Sequence, residues 1–205
     1  MHKQEPVVIG VGGFNSDVGK TTLMCELLKA FPGWEAIKTT RGHYRSCGKD
    51  PHSCCVSHLL SEEPLVRSGL AETYEKGKDT GRYWDAGASN VHWLIATDNQ
   101  VEKGIKEALA RVKTQGVFIE GNSFTQFVHT DHFVMVRRAD NKMKSSARRT
   151  ISNATAIYVS DPETFATGTN LEQQVIPLFN SSNLSGLIDH LRTTLECAAA
   201  LQSGS

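Results

Sequence analysis

Nothing in this 205-residue sequence approaches the roughly 18 consecutive apolar positions that a membrane-crossing helix requires. Net charge is missing as well. The 22 Lys and Arg balance 22 Asp and Glu, which removes the general electrostatic argument for nucleic acid or an anionic membrane as partner. The polar start, Met1-His2-Lys3-Gln4-Glu5-Pro6, has neither the apolar core nor the cleavage site of a secretory signal, so a soluble cytoplasmic protein is expected. Five cysteines, an odd number with three close together, do not make a secreted disulfide framework; reduced thiols or metal ligands are expected instead. No linker and no internal repeat divides the chain. A single domain over residues 1–201 is therefore expected, with residues 202–205 as a disordered tail.

What is present is an alternation of short β-rich runs with helical patterns. Residues 6–12 (PVVIGVG) read as a buried parallel strand, and residues 20–30 carry Leu23, Met24, Leu27 and Leu28 at helical spacing. Residues 34–39 (WEAIKT), 91–96 (VHWLIA), 117–120 (VFIE), 133–136 (FVMV) and 156–159 (AIYV) read as further strands. Helices are expected over 79–88, 101–113 and 184–201, whereas residues 40–78 lose periodicity and read as an irregular Cys/His-rich insert. This pattern predicts an α/β fold of the Rossmann-like three-layer type, a mainly parallel sheet with helices on both faces. Ligands then belong at the carboxyl ends of the strands.

The strongest local signal is Gly13-Phe14-Asn15-Ser16-Asp17-Val18-Gly19-Lys20-Thr21-Thr22, lying after a strand and before a helix. In such a loop, backbone N–H groups point at phosphate oxygens, the helix adds its positive end, the lysine reaches the β- and γ-phosphates, and Thr21 offers its hydroxyl to Mg²⁺. The spacing departs from GxxxxGK[ST]: Phe14 holds the place of the first glycine and the loop is one residue longer. Glu120, at the end of its strand, is the candidate carboxylate for Mg²⁺, since that ion prefers hard oxygen ligands. Asp79 and Asp85 are weaker candidates, with helix-cap or surface roles as alternatives. Lys38, read as a strand-end residue, can neutralise phosphate or hold an anionic substrate, or simply be solvated.

His43, Cys47, His52, Cys54, Cys55 and His58 fall within sixteen residues of the insert. Cys47, Cys54 and Cys55 are candidate ligands for a second metal, zinc or another transition ion, although the spacing matches no CxxC finger. A polar loop with incidental cysteines is the competing reading. Cys25 and Cys197 read as packing residues.

The string GFNSDVGKT resembles the phosphate loop of dethiobiotin synthetases, which also have five residues between the glycines; Ile37-Lys38-Thr39-Thr40-Arg41-Gly42 and Ile119-Glu120-Gly121 resemble that family's next two motifs. Gly77-Lys78-Asp79-Thr80-Gly81-Arg82-Tyr83-Trp84-Asp85-Ala86-Gly87-Ala88 resembles the GKDS-type element of the molybdopterin-guanine dinucleotide biosynthesis protein B family. The second resemblance implies a GTP- or ATP-binding accessory factor in cofactor maturation, acting with a cofactor-biosynthesis enzyme; the first implies a ligase or kinase acting on a small metabolite. Both imply Mg²⁺ with the nucleotide and a homodimer. In related GTPases a carboxylate after the last strand reads guanine, which makes Asp161 a candidate, but the Asn-Lys-x-Asp pattern is missing and ATP and GTP both stay open. A nucleotide-gated metal-delivery protein using the insert is a third expectation.

Overall fold

The computed structural model describes residues 5–42, 59–139, 142–161 and 176–203. Eight strands, β1 (Val7–Gly13), β2 (Glu35–Arg41), β3 (Leu65–Ser68), β4 (Val91–Ala96), β5 (Gly116–Glu120), β6 (His132–Arg137), β7 (Ala156–Val159) and β8 (Leu178–Asn180), form one sheet in the order β3-β4-β2-β5-β1-β6-β7-β8. Every pairing is parallel except that of β3 with β4. Among the described residues the helices are α1 (Lys20–Ala30), α2 (Leu70–Thr73), α3 (Asp79–Asp85), α4 (Val101–Ala110), α5 (Ser145–Arg148) and α6 (Leu184–Ser203).

The central strands lack polar alternation because both faces are covered. Ile9 and Val11 of β1 join a cluster with Leu23, Met24, Leu27 and Leu28 of α1, Tyr83 of α3, and Leu187 and Leu191 of α6. Val8 points the other way, toward Ile37, Val117 and Ile119 and toward Val101, Ile105 and Ala108 of α4. A third cluster packs Phe14 with Phe133, Met135 and Ala147. Each large aliphatic side chain so buried contributes about 1.5–3 kcal/mol. Three layers result, as expected, with β1 at their centre.

Two strands, the short helices α2 and α5, and the end of α6 depart from the sequence reading. The described part of the segment expected to be irregular holds β3 and α2; β3 pairs Leu65 with Ile95 and Ser68 with His92, while β8 pairs Leu178 with Ile157. Four and three residues are too few to show a period, and their stability comes from neighbours distant in sequence. Helix α6 continues to Ser203, so Gln202 and Ser203 extend a helix rather than start a disordered tail.

Candidate functional site

β1 ends at Gly13, and the chain turns through Phe14 and Asn15 to Gly19 before α1 begins at Lys20. Two buried side chains anchor the turn from opposite sides: Phe14 in the cluster with Phe133, and Val18 in the cluster with Met24. The Phe14 N–H donates to the Val136 carbonyl at 2.9 Å, and the Asn122 side chain clasps Gly13, accepting from its N–H at 2.8 Å and donating to its carbonyl at 2.9 Å. A Cβ on Gly13 would lie 2.9 Å from both Lys20 Cδ and Val18 Cγ2, so glycine there makes room for the lysine to fold back. Gly19, at φ 91°, supplies the left-handed step into the helix. The side chain of Asn15 accepts from the Ser16 N–H at 2.9 Å. The six following amides, Asp17 to Thr22, make no hydrogen bond among the described residues. Together with the start of an 11-residue helix, they form a concave run of donors suited to an anion.

A charged cluster faces this run. Lys38 Nζ lies 2.6 Å from Glu120 Oε1 and 2.5 Å from Asp79 Oδ2; Thr21 Oγ1 donates to Glu120 Oε2 at 3.0 Å, and the Tyr83 hydroxyl donates to the same oxygen. Glu120 and Tyr83 are buried. Burial works against the Lys38 ammonium, but Glu120 and Asp79 outweigh it and raise its pKa; burial likewise opposes the Asp79 carboxylate, and Lys38 outweighs it and lowers that pKa. Lys20 is shifted down, by burial first and by Lys38, with Glu120 opposing. In the absence of an anion, Lys20 is thus a desolvated cation. A cavity of about 370 Å³ lies between the loop and α3, lined by Asp17, Lys20, Thr21, Lys38, Asp79 and Glu120 among others.

Thr21 and Glu120, the expected Mg²⁺ ligands, therefore stand together, with Asp79 on the other side of Lys38. This hard-oxygen set fits Mg²⁺. Among the described residues no group of three or more His, Cys, Asp and Glu converges on one point, so triphosphate oxygens and water would complete the shell. Two sequence expectations need correction. Lys38 is not a strand end: β2 continues to Arg41 because its Thr39, Thr40 and Arg41 pair with Leu94, Ile95 and Ala96 of β4, and Lys38 stands beside Glu120. Asp79, ranked below Glu120 in the sequence, begins α3 inside the cluster. Asp161 follows β7 and faces Arg138, whose Nε lies 3.4 Å from its Oδ2, while the adjacent Ser160 Cβ comes within 3.1 Å of a Cβ built on Gly19. Asp161 thus lies at the loop's edge of the sheet. Cys47, Cys54 and Cys55, with His43, His52 and His58, lie outside the described residues; Cys25 is buried, as expected of a packing residue.

Three participants escape sequence reasoning. Tyr83 and Arg82 come from α3, the latter donating to Thr22 Oγ1 at 3.3 Å, and Asn122 reaches Gly13 across 109 residues. The only signal for the first two is the GKDTGRYWDAGA element itself, and Asn122 has none.

Among solved structures, the chain is similar to LpxK from Aquifex aeolicus in complex with ATP, with TM-score 0.54 and 18% identity over 88% of this chain and 55% of that one. It thus spans about half the length of that protein. It is also aligned with MobB from Bacillus subtilis at TM-score 0.44 and 16% identity, over 92% of this chain and 97% of that one. No protein-family model matches the chain, and no curated protein matches it. The first similarity, together with the sheet order, shows the fold of the P-loop NTPases.

Proposed function

We propose that this protein binds a nucleoside triphosphate with Mg²⁺ at residues 13–22 and, as a slow NTPase, serves the maturation of a molybdopterin-type cofactor. The observation that supports nucleotide binding above all is the run of six amides that make no hydrogen bond among the described residues, beside a Lys20 whose pKa burial lowers. Polyphosphate oxygens would satisfy those donors and neutralise the ammonium, while Thr21 and Glu120 hold Mg²⁺, with Asp79 nearby. When bound, that ion supplies charge neutralisation of the β- and γ-phosphates. Arg82, which contacts Thr22 and lines the same cavity, would add a second cation to the phosphates from α3. Slow turnover follows from the partners of the two carboxylates at the γ-phosphate end: both Glu120 and Asp79 are engaged by Lys38, so neither is free to take a proton from water.

The cofactor role is supported by the GKDTGRYWDAGA element, three of whose side chains engage the site: Arg82 touches Thr22 at the loop, Asp79 pairs with Lys38 of β2 and Tyr83 donates to Glu120 of β5. The ATP bound to LpxK favours trying ATP as well as GTP. Calorimetric titration with each, in Mg²⁺, tests the reading. Binding of at least one is expected, with Lys20→Ala weakening it by about ten- to a hundredfold, the range for losing a charge-assisted hydrogen bond. No binding of either nucleotide refutes it.

The longer loop and the position of Lys38 favour a second reading, an ATP-dependent ligase or kinase acting on a small metabolite. In that case Lys38→Ala abolishes substrate-stimulated turnover and spares nucleotide affinity; equal loss of both argues against it. Nucleotide-gated metal delivery rests on Cys47, Cys54 and Cys55 alone, and elemental analysis of freshly isolated protein decides it. Sedimentation tests the homodimer that both resemblances imply.

A further inference from the structure

A second cavity, about 440 Å³, shares Ser16, Lys20, Lys38 and Glu120 with the first but contains no residue of α3. Its separate wall is built from Arg41, Ser123, Lys144, Ser145 and Ser146. The charge around it is unbalanced: Lys20, Lys38, Arg41 and Lys144 face Glu120, which Lys38 already engages, while Arg41 pairs at 2.8 Å with the exposed Asp98. Lys144 has no acidic partner among the described residues. Its backbone is nevertheless fixed, its N–H donating to the Phe14 carbonyl at 2.8 Å and its carbonyl accepting from Ala147 and Arg148. Burial first, then Lys20 and Arg41, lower the Lys144 pKa, with Glu120 and Asp17 opposing more weakly. The hydroxyls of Ser123, Ser145 and Ser146 make no hydrogen bond among the described residues either.

We propose that this cavity takes a second substrate, a small metabolite bearing a carboxylate or phosphate, held by Lys144 and the serine hydroxyls and facing the triphosphate across Lys20 and Lys38. The proposal rests on the nucleotide reading above and names the class of molecule that would share its site. An anion here relieves the cation crowding, whereas a neutral or basic molecule would leave it in place. A nucleotide phosphate reaching into the same space is the competing use of Lys144, and the experiment separates the two.

Protein is first titrated with Mg²⁺ and the β,γ-imido analogues of ATP and GTP. Once it is saturated with whichever binds, inorganic phosphate and, separately, malonate are titrated in, followed by calorimetry. Saturable binding of at least one is expected; preference for phosphate marks a phosphorylated metabolite, and preference for malonate a carboxylic acid. Lys144→Gln is expected to weaken that binding about tenfold or more while changing nucleotide affinity less than about twofold, and Lys144→Arg to restore it. Should Lys144→Gln fail to fold, as read by melting, Ser146→Ala makes the same comparison with a smaller loss. Failure of the nucleotide-loaded protein to bind either anion overturns the proposal and leaves nucleotide binding intact. Equal loss of anion and nucleotide affinity in Lys144→Gln also overturns it, by assigning Lys144 to the triphosphate. Absence of nucleotide binding in the first titration removes the underlying reading itself.

Discussion

A carboxylate buried without partners costs several kcal/mol, so the residues around Glu120 decide whether it can stay in the core. Its two oxygens accept from Thr21, Lys38 and Tyr83, and its backbone carbonyl accepts from Thr39 Oγ1 at 2.6 Å. Burial first, then Glu120, hold the Tyr83 phenol well above its ordinary pKa, which keeps it a donor throughout the working range. Tyr83→Phe is therefore expected to cost about 1.5–3 kcal/mol in urea unfolding, the range for a hydrogen bond to a charged group. Lys38→Met, which strips the cation from both Glu120 and Asp79, should cost more, about 3–5 kcal/mol. If the two variants unfold alike, the cluster is not organised around the lysine.

At the scale of elements, α3 matters because one short helix delivers Asp79, Arg82 and Tyr83 together. Its interior glycine allows that approach: a Cβ on Gly81 would lie 2.1 Å from the Glu75 carbonyl oxygen. Glycine to alanine inside a helix ordinarily gains about 1 kcal/mol, yet here the backbone must move. Gly81→Ala should thus destabilise the protein and weaken nucleotide binding at once, and a more stable variant would show that α3 is free to shift. At the amino end of the central strands, Glu35 binds β2 to its neighbours. Its Oε1 accepts from the Lys113 and Thr114 amides at 2.7 and 3.0 Å, and its Oε2 lies 2.7 Å from His92 Nε2, whose ring reaches Ser68 through Nδ1 at 2.8 Å. Burial opposes this carboxylate, but His92 and the two amides outweigh it and place its pKa below the usual 4.5. A depressed carboxyl stabilises the fold fully above its unfolded pKa, and that stabilisation is lost as pH falls through the folded one. Melting temperature should hold above about pH 5 and drop below it. Asp79, also depressed, adds to the drop. Glu35→Gln should melt lower at neutral pH but lose less on acidification, whereas Asp79→Asn should retain the Glu35 portion of the loss.

How legible these elements are in the sequence follows from where their stability originates. β1, α1 and β4 carry their own pattern, a β-branched run or apolar residues at helical spacing, and were readable to within a residue or so. β3 and β8 depend on partners far along the chain and offer no period to read. The same division runs through the site. Lys20, Thr21 and the glycines lie in one contiguous motif, and Glu120 ends an obvious strand. Tyr83 and Asn122, by contrast, become parts of the site only when the sheet brings α3 and the β5 end against β1; the GKDTGRYWDAGA element marks the helix of Tyr83 but not its partner, and nothing local marks Asn122.

For the molecule as a whole, the loop is a place where stability is given up for binding. Lys20 is half-buried, its pKa lowered by burial first and by Lys38 while Glu120, Asp17 and Asp79 oppose, and six amides beside it make no hydrogen bond among the described residues. Removing the ammonium should therefore cost the empty protein little: Lys20→Ala is expected to melt at or above the wild-type temperature without nucleotide. Ligand reverses the order. At a hundredfold excess over Kd, a triphosphate that binds only the folded state adds about 2.7 kcal/mol. For a chain of this size each kcal/mol moves the melting point by about 2–4 °C, so wild type should rise by about 5–11 °C with Mg²⁺ and nucleotide. Lys20→Ala, binding ten- to a hundredfold more weakly, should under the same conditions gain only about 0.4–1.4 kcal/mol and rise by about 1–6 °C. Calorimetric melting of both proteins, with and without ligand, checks the crossing. A variant that melts well below wild type when empty would make Lys20 a structural residue, and equal ligand-induced shifts would take it out of the phosphate site.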